Sequence, residues 1–238
     1  YFHTPRHSLI KAAWLRTATL WVLRNADAVW FSSAADVVSI RGARATGPVM
    51  DIGVDLAPFL AVERRPERGT WLVMGRVDAH KGIDDLIDLV ATMSEQPTLL
   101  VLGGESAPGL INSLRTRAAN MGVVARFEGN VEQRRFVEAL ASCELAVFPS
   151  RSEAFGMASV EALASGAPVV LSEVPAFQTR VEHGRTGFIV NFRGDGAAEE
   201  LSQVRQQLDV VGERGRDEAL RYGWDNVIGA WMNEYRRA

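Results

Sequence analysis

Cysteine is almost absent from this chain, with Cys143 standing alone among 238 residues. A single thiol cannot form an intramolecular disulfide or a cysteine-based metal site, which fits a reducing compartment such as the cytoplasm. Lysine is nearly as scarce. Of the 26 basic residues only Lys11 and Lys81 are lysines and the other 24 are arginines. Surplus positive charge is missing too. A net charge of -3 leaves no concentrated basic surface for phosphate backbones, so no nucleic-acid partner is expected. No apolar run reaches the roughly 20 residues that span a bilayer. The early cations Lys11, Arg16 and Arg24 gather on no single basic face, which leaves association with a membrane surface open. The expected location is cytoplasmic, or peripheral at the inner membrane face. There is no low-complexity tract and no internal repeat. The opening residues, YFHTPRH, lack both an initiating Met and signal-peptide character, and read as a cut through a larger protein.

What is present is a globular composition, 47% hydrophobic, enough for one large domain or for one domain with part of another. Strand-like runs recur at Ala28 to Phe31, Trp71 to Met74, Thr98 to Leu102, Val123 to Phe127, Leu145 to Phe148, Pro168 to Leu171 and Gly187 to Val190. Between them apolar residues follow helical spacing: Ile83, Leu86, Ile87 and Val90, then Leu110, Leu114, Ala118 and Met121, then Phe136, Val137 and Leu140. This alternation predicts an α/β fold with a parallel sheet covered by helices on both faces. Its ligand crevice should lie beyond the carboxyl ends of the strands, where Gly75, Gly103, Gly104 and Ser150 fall. Earlier in the chain, residues 8 to 25 read as a helix and Val49 to Phe59 as a hinge. The last segment, WDNVIGAWMNEYRRA, reads as an amphipathic helix with Val227, Ile228, Trp231 and Tyr235 available to one face. Trp14, Trp21 and Trp30 read as core anchors, and His7, His80 and His183 as surface residues.

Two segments carry chemistry. The first, GRVDAHKG, follows the Trp71 to Met74 strand and sets Arg76 and Lys81 at the crevice. Together they suit a diphosphate: arginine offers a bidentate fork, lysine a compact charge, and Gly75 lets the backbone come close. The ordinary alternative is a solvated loop whose cations meet water or the carboxylates of Asp84 and Asp85. The second, PSRSEAFGMASVEALASGAPVVLS, places Glu153 in a loop and Glu161 two turns along the helix that follows, around a Phe-Gly-Met turn. The N-H groups of Phe155, Gly156 and Met157 at that helix start can meet phosphate or hydroxyl oxygens. Taken singly, each glutamate could be an ordinary helix residue. Yet Glu161 between Val160 and Ala162 on an apolar helix calls for partners, and two vicinal ribose hydroxyls would supply them.

GRVDAHKG, SRSEAFGMASVEALASGAPVV and the later HGRTGFIV stand in the order found in glycosyltransferase family 4, and the whole chain resembles the carboxyl-terminal part of that family. The resemblance implies a GT-B fold with a Rossmann-like donor-binding domain, a truncated piece of a second Rossmann-like domain, and retaining transfer of a hexose-type sugar from a UDP- or GDP-linked donor. The acceptor would be a glycan, a lipid or a small molecule, with no metal and no cofactor. By the same resemblance Arg76 and Lys81 bind the diphosphate and steady the leaving nucleotide, Glu153 contacts the sugar and Glu161 the ribose. The base lies against Gly129-Asn130-Val131, the backbones of Gly75 and Gly104 approach the donor, and His3 in YFHTPR contacts the sugar from the other domain. The implied division is 1–53 for the end of the amino-terminal domain with the hinge, 54–224 for the donor-binding domain, and 225–238 for a helix crossing back. A nucleotide-sugar-binding module without catalysis is the alternative, and a sugar-nucleotide epimerase of the same fold a third. The chain departs from the family pattern at Asp51-Ile52, at Gly103-Gly104-Glu105 and at Thr179.

Overall fold

The computed structural model describes residues 8–26, 29–32 and 48–237. Helix α1 (Ser8–Asn25) matches the helical reading of residues 8 to 25. Two of the expected core anchors do not hold: Trp14 and Trp21 are 67% and 68% exposed, because no described element covers that side of α1. Trp30 does pack, tilted against Trp231 with ring centres 5.6 Å apart. The expected strand over Ala28 to Phe31 is reduced, among described residues, to one parallel bridge between Phe31 and Val49. Within the hinge, a single turn of helix, α2 (Ala57–Leu60), begins around Pro58.

The main body alternates strand and helix. It comprises β1 (Thr70–Met74), α3 (Ile83–Ala91), β2 (Thr98–Leu102), α4 (Leu110–Asn120), β3 (Ala125–Gly129), α5 (Gln133–Ser142), β4 (Leu145–Phe148), α6 (Met157–Ala164), β5 (Val169–Ser172), α7 (Pro175–Gln178) and β6 (Phe188–Val190). After it come α8 (Ala197–Val204), α9 (Leu208–Ala219) and α10 (Trp224–Arg237). The six strands lie in the order β3-β2-β1-β4-β5-β6, and every pairing is parallel. β1 and β4 are therefore neighbours whose following chains depart to opposite halves of the sheet, which opens a crevice beyond their carboxyl ends.

Side-chain alternation builds two cores. Leu72, Met74, Leu100, Leu102, Ala146 and Phe148 face one layer, with Val160 and Leu163 of α6 packed on them. Trp71, Val73, Leu99, Val101, Leu145 and Val147 face the other, against Leu86, Ile87 and Val90 of α3. A sheet buried on both faces needs continuous apolar strands, as β1, β2, β4 and β5 have. Met121, expected on the buried face of α4, is 37% exposed, since it falls just past the helix end. In α10, Val227 is buried while Ile228 and Tyr235 are exposed.

Candidate functional site

The first predicted segment leaves β1 through Gly75 and closes in a short 3-10 turn, Ala79–Lys81, capped by Asp78, whose carboxylate accepts the His80 N-H at 3.0 Å. That bond and a second from the Ser106 side chain, with the nearby Arg76 charge adding to them, hold the Asp78 carboxyl below its ordinary range. Gly82 then adopts φ 63°, and a Cβ there would stand 2.1 Å from the Pro149 carbonyl oxygen. Only glycine permits this approach. It presses the loop after β1 onto the loop after β4 and brings Lys81 to Glu153, where the two form an ion pair. Both side chains are mostly shielded, at 28% and 15% exposure. Arg76 projects to solvent, 65% exposed, with Asp78 at 4.0 Å.

The alternative partners, Asp84 and Asp85, are occupied elsewhere. Arg151 donates to Asp84 at 2.7 Å and to Asp85 through two nitrogens at 2.9 and 2.7 Å, and Arg193 reaches Asp85 at 2.8 Å. Burial alone would raise the Asp85 carboxyl, but these two guanidiniums hold it lower than usual. Arg151 also donates to the Ala79 carbonyl at 2.9 Å, and its own N-H meets the His80 carbonyl at 2.7 Å. It staples the two loops together.

On the second segment, Glu161 is half-buried, and among the described residues its carboxylate has no hydrogen-bond or ion-pair partner. Burial pushes its carboxyl above the ordinary glutamate value. Gly156, at φ 81°, packs so closely on Phe177 that a Cβ would stand 2.6 Å from its ring. The N-H groups of Phe155, Gly156 and Met157 donate to no described group. Along the neighbouring strand ends, Gly103 passes over Gly75, where a Cβ would lie 1.9 Å from the Gly75 oxygen. Gly104 receives the Asn130 carboxamide, and Val131 packs on the core cluster that also carries Ala158. Thus Gly75, Arg76, Lys81, Gly104, Asn130, Val131, Glu153, Phe155, Gly156, Met157 and Glu161 all stand at the carboxyl ends of β1 to β4. His3 lies outside the described residues.

A large concavity of about 1120 Å³ opens at the other end of the sheet, lined by Arg64, Arg68, Glu144, Arg205 and Arg216 among others. Its inner groups are spoken for: Arg205 binds Glu144 and Arg64 binds the Cys143 carbonyl at 2.9 Å. Size alone does not mark the site.

A family model described as glycosyl transferases group 1 matches residues 61–208, which span the strands and loops just described. The chain belongs to this family. Among curated relatives, D-inositol 3-phosphate glycosyltransferase 2 of Catenulispora acidiphila is 31% identical over 231 residues, covering 86% of this chain and 54% of its own length. The GDP-mannose:cellobiosyl-diphosphopolyprenol alpha-mannosyltransferase of Xanthomonas campestris is 26% identical, covering 100% of this chain and 66% of its own. The chain thus spans about half to two thirds of the length of these relatives. HepE of Anabaena, solved with UDP and glucose, superposes with a TM-score of 0.78 at 21% identity over 94% of this chain and 67% of its own. The sucrose-phosphate synthase of Thermosynechococcus elongatus reaches 0.80 at 22% identity, over 99% and 64%. These likenesses show the GT-B-type, Rossmann-like fold.

Two departures from the family pattern have a local explanation. Glu105 of Gly103-Gly104-Glu105 accepts the N-H groups of Ile111 at 2.8 Å and Gly109 at 3.2 Å, capping the start of α4. Those bonds hold its carboxyl below the usual range. The Asp51 carbonyl accepts the Trp231 indole N-H at 3.0 Å, tying hinge to α10. Sequence reasoning missed Arg151 and the buried Arg180. The only signal for Arg180 was an arginine three residues past Phe177 and beside Val181, both core positions.

Proposed function

We propose that the protein is a retaining glycosyltransferase that moves a hexose-type sugar from a UDP- or GDP-linked donor to a glycan, lipid or small-molecule acceptor. The observation that carries this reading is the Lys81–Glu153 ion pair, with a half-buried Glu161 that pairs with no described residue, at the switch point of the sheet. Nucleotide-sugar donors are supported by the UDP-glucose complex of HepE and by the GDP-mannose named for the Xanthomonas relative.

Donor binding is a partner exchange in this reading. The diphosphate takes Lys81 and Arg76, and Glu153, released, accepts hydroxyls of the sugar. Glu153 exchanges one charged partner for sugar hydroxyls, while Lys81 and Arg76 gain charged phosphate contacts worth about 1.5 to 3 kcal/mol each, so the exchange runs toward the donor. Glu161 accepts the two ribose hydroxyls and loses its desolvation penalty to them. The base rests against Asn130 and Val131, with the backbones of Gly75 and Gly104 close to the donor and the amides of Phe155, Gly156 and Met157 on sugar and phosphate.

As the glycosidic bond to phosphate breaks, negative charge grows on the leaving nucleotide, and Arg76 and Lys81 are placed to hold it. The acceptor oxygen bonds the sugar carbon from the same face, and its proton passes to the departing phosphate oxygen. Neither glutamate forms a covalent bond, and charge stabilisation rests on the two cations rather than on a metal or cofactor. We assign the donor half to residues 54–224. In the same reading 1–53, with His3, is the end of the acceptor-side domain, and 225–238 crosses back toward it. Because the chain spans only part of its relatives' length, the 238 residues by themselves are proposed to bind donor without turning it over.

Calorimetry tests the reading. Arg76→Ala and Lys81→Ala should each weaken nucleoside-diphosphate affinity about tenfold or more, and unchanged affinity in both would remove the diphosphate assignment. Thermal shifts with UDP and GDP sugars would identify the base.

A further inference from the structure

Arg180 lies behind the loop between Glu153 and Met157 and is 2% exposed. Its Nε and Nη1 have no hydrogen-bond partner among the described residues. Only Nη2 is engaged, donating to the Phe155 carbonyl at 2.6 Å. The guanidinium carbon sits 4.4 Å from the centre of the Phe155 ring and 4.2 Å from that of Tyr222. The two rings meet edge to face at 5.7 Å. Aromatic faces stabilise a cation, but they do not satisfy N-H donors.

A position that served packing alone would do better with an apolar side chain of similar length, because replacing a buried, under-bonded charge that way is commonly neutral or stabilising. What the charge accomplishes follows from its single hydrogen bond. In a trans peptide the carbonyl and the next N-H point in opposite directions across one plane, and the described chain has no cis peptide. Drawing the Phe155 oxygen inward therefore turns the Gly156 N-H outward. Gly156 is crowded, since a Cβ there would stand 2.6 Å from the Phe177 ring and 3.1 Å from the Glu153 side chain, so the plane has little room to flip.

We propose that Arg180 is the positioning residue of the donor-gripping loop, a buried cation that holds the Phe155 carbonyl inward so that the Gly156 N-H faces the sugar of the bound donor. The nature of the ligand rests on the glycosyl-donor reading above; the positioning of the loop does not.

The test compares Arg180→Met and Arg180→Lys with the unaltered protein in three measurements. Arg180→Met should keep its melting temperature within about 2 °C of the unaltered protein, or exceed it. The backbone order parameter of the Gly156 amide should fall without ligand, from the rigid range of about 0.85 to below about 0.6. Affinity for UDP-glucose or GDP-mannose should fall about tenfold, while affinity for bare UDP or GDP falls less than about threefold, because Lys81 and Arg76 are untouched. Arg180→Lys, which keeps the charge and one donor, should lie between. Unfolding of Arg180→Met, an unchanged Gly156 order parameter, or equal losses for nucleotide and sugar nucleotide would each overturn the proposal. If the unaltered protein binds none of the four ligands, the donor reading fails, and the order-parameter measurement still decides whether Arg180 positions the loop.

Discussion

Glu144 and Glu161 are the same residue type set into opposite ends of the same sheet, and their surroundings differ completely. Glu144, just before β4, is 7% exposed and accepts the Gly69 N-H at 2.9 Å, the Trp71 indole N-H at 3.3 Å and two Arg205 nitrogens at 3.2 and 3.3 Å. Glu161, beyond the carboxyl end of β4, has nothing described to accept. A carboxylate whose lone pairs are filled by its own chain holds the fold together. One whose desolvation is left uncompensated is poised for donors that arrive with a ligand. The glycines divide the same way. Gly69, at the amino end, has φ 82° and open space around it, whereas Gly82 has φ 63° and the Pro149 oxygen 2.1 Å from where a Cβ would be.

The strongest way to break this comparison is Glu144→Ala. It strands the Arg205 charge and the Trp71 donor, and should cost about 3 kcal/mol in urea unfolding while nucleotide affinity holds. A small loss of stability, or a loss of binding, would mean that the amino end is not purely structural. Next comes Gly82→Ala against Gly69→Ala. The first should cost about 2 kcal/mol or more and weaken nucleoside-diphosphate binding, because it displaces Lys81; the second should cost about 1 kcal/mol, with binding intact. Equal costs would show that the Pro149 contact relaxes freely.

The smallest effect is expected from Glu161→Gln, read as a rise in melting temperature of about 2 °C at neutral pH. The sign follows from linkage. Burial raises the Glu161 carboxyl above its ordinary value of 4.5, so the folded state holds that proton more tightly than the unfolded chain. Its contribution to stability is then greatest in acid and declines as pH rises from 4.5 through the higher folded value. Glutamine should remove that decline and should also weaken binding of a ribonucleotide more than of its 2'-deoxy form. A Gln variant less stable than the parent would reveal a native partner for the carboxylate.

Much of this architecture was legible beforehand because it is written in local pattern. The apolar runs of β1, β2 and β4 and the helical spacing of Ile83, Leu86, Ile87 and Val90 follow from burial on two faces and on one face respectively. β3 was displaced, expected over Val123 to Phe127 and found over Ala125–Gly129. At the sheet edge only Phe127 of that strand is buried, so hydrophobicity marks its position poorly. α8 and α9 went unread because they bury few residues in polar surroundings, such as Leu201 and Val211. Trp14 and Trp21 misled because aromatic size signals burial only where a second element covers it.

The amino-acid sequence by itself determined the parallel α/β class, the two loops with their cations and carboxylates, and the likeness to a glycosyltransferase family, since each depends on residues close together in the chain. Tertiary structure alone decided which charges meet. It drew Lys81 to Glu153 across 72 positions, gave Asp84 and Asp85 to Arg151, left Glu161 without a partner among the described residues and buried Arg180 behind Phe155. Pairing and burial depend on what the strand order brings alongside, and no local spacing encodes that neighbourhood.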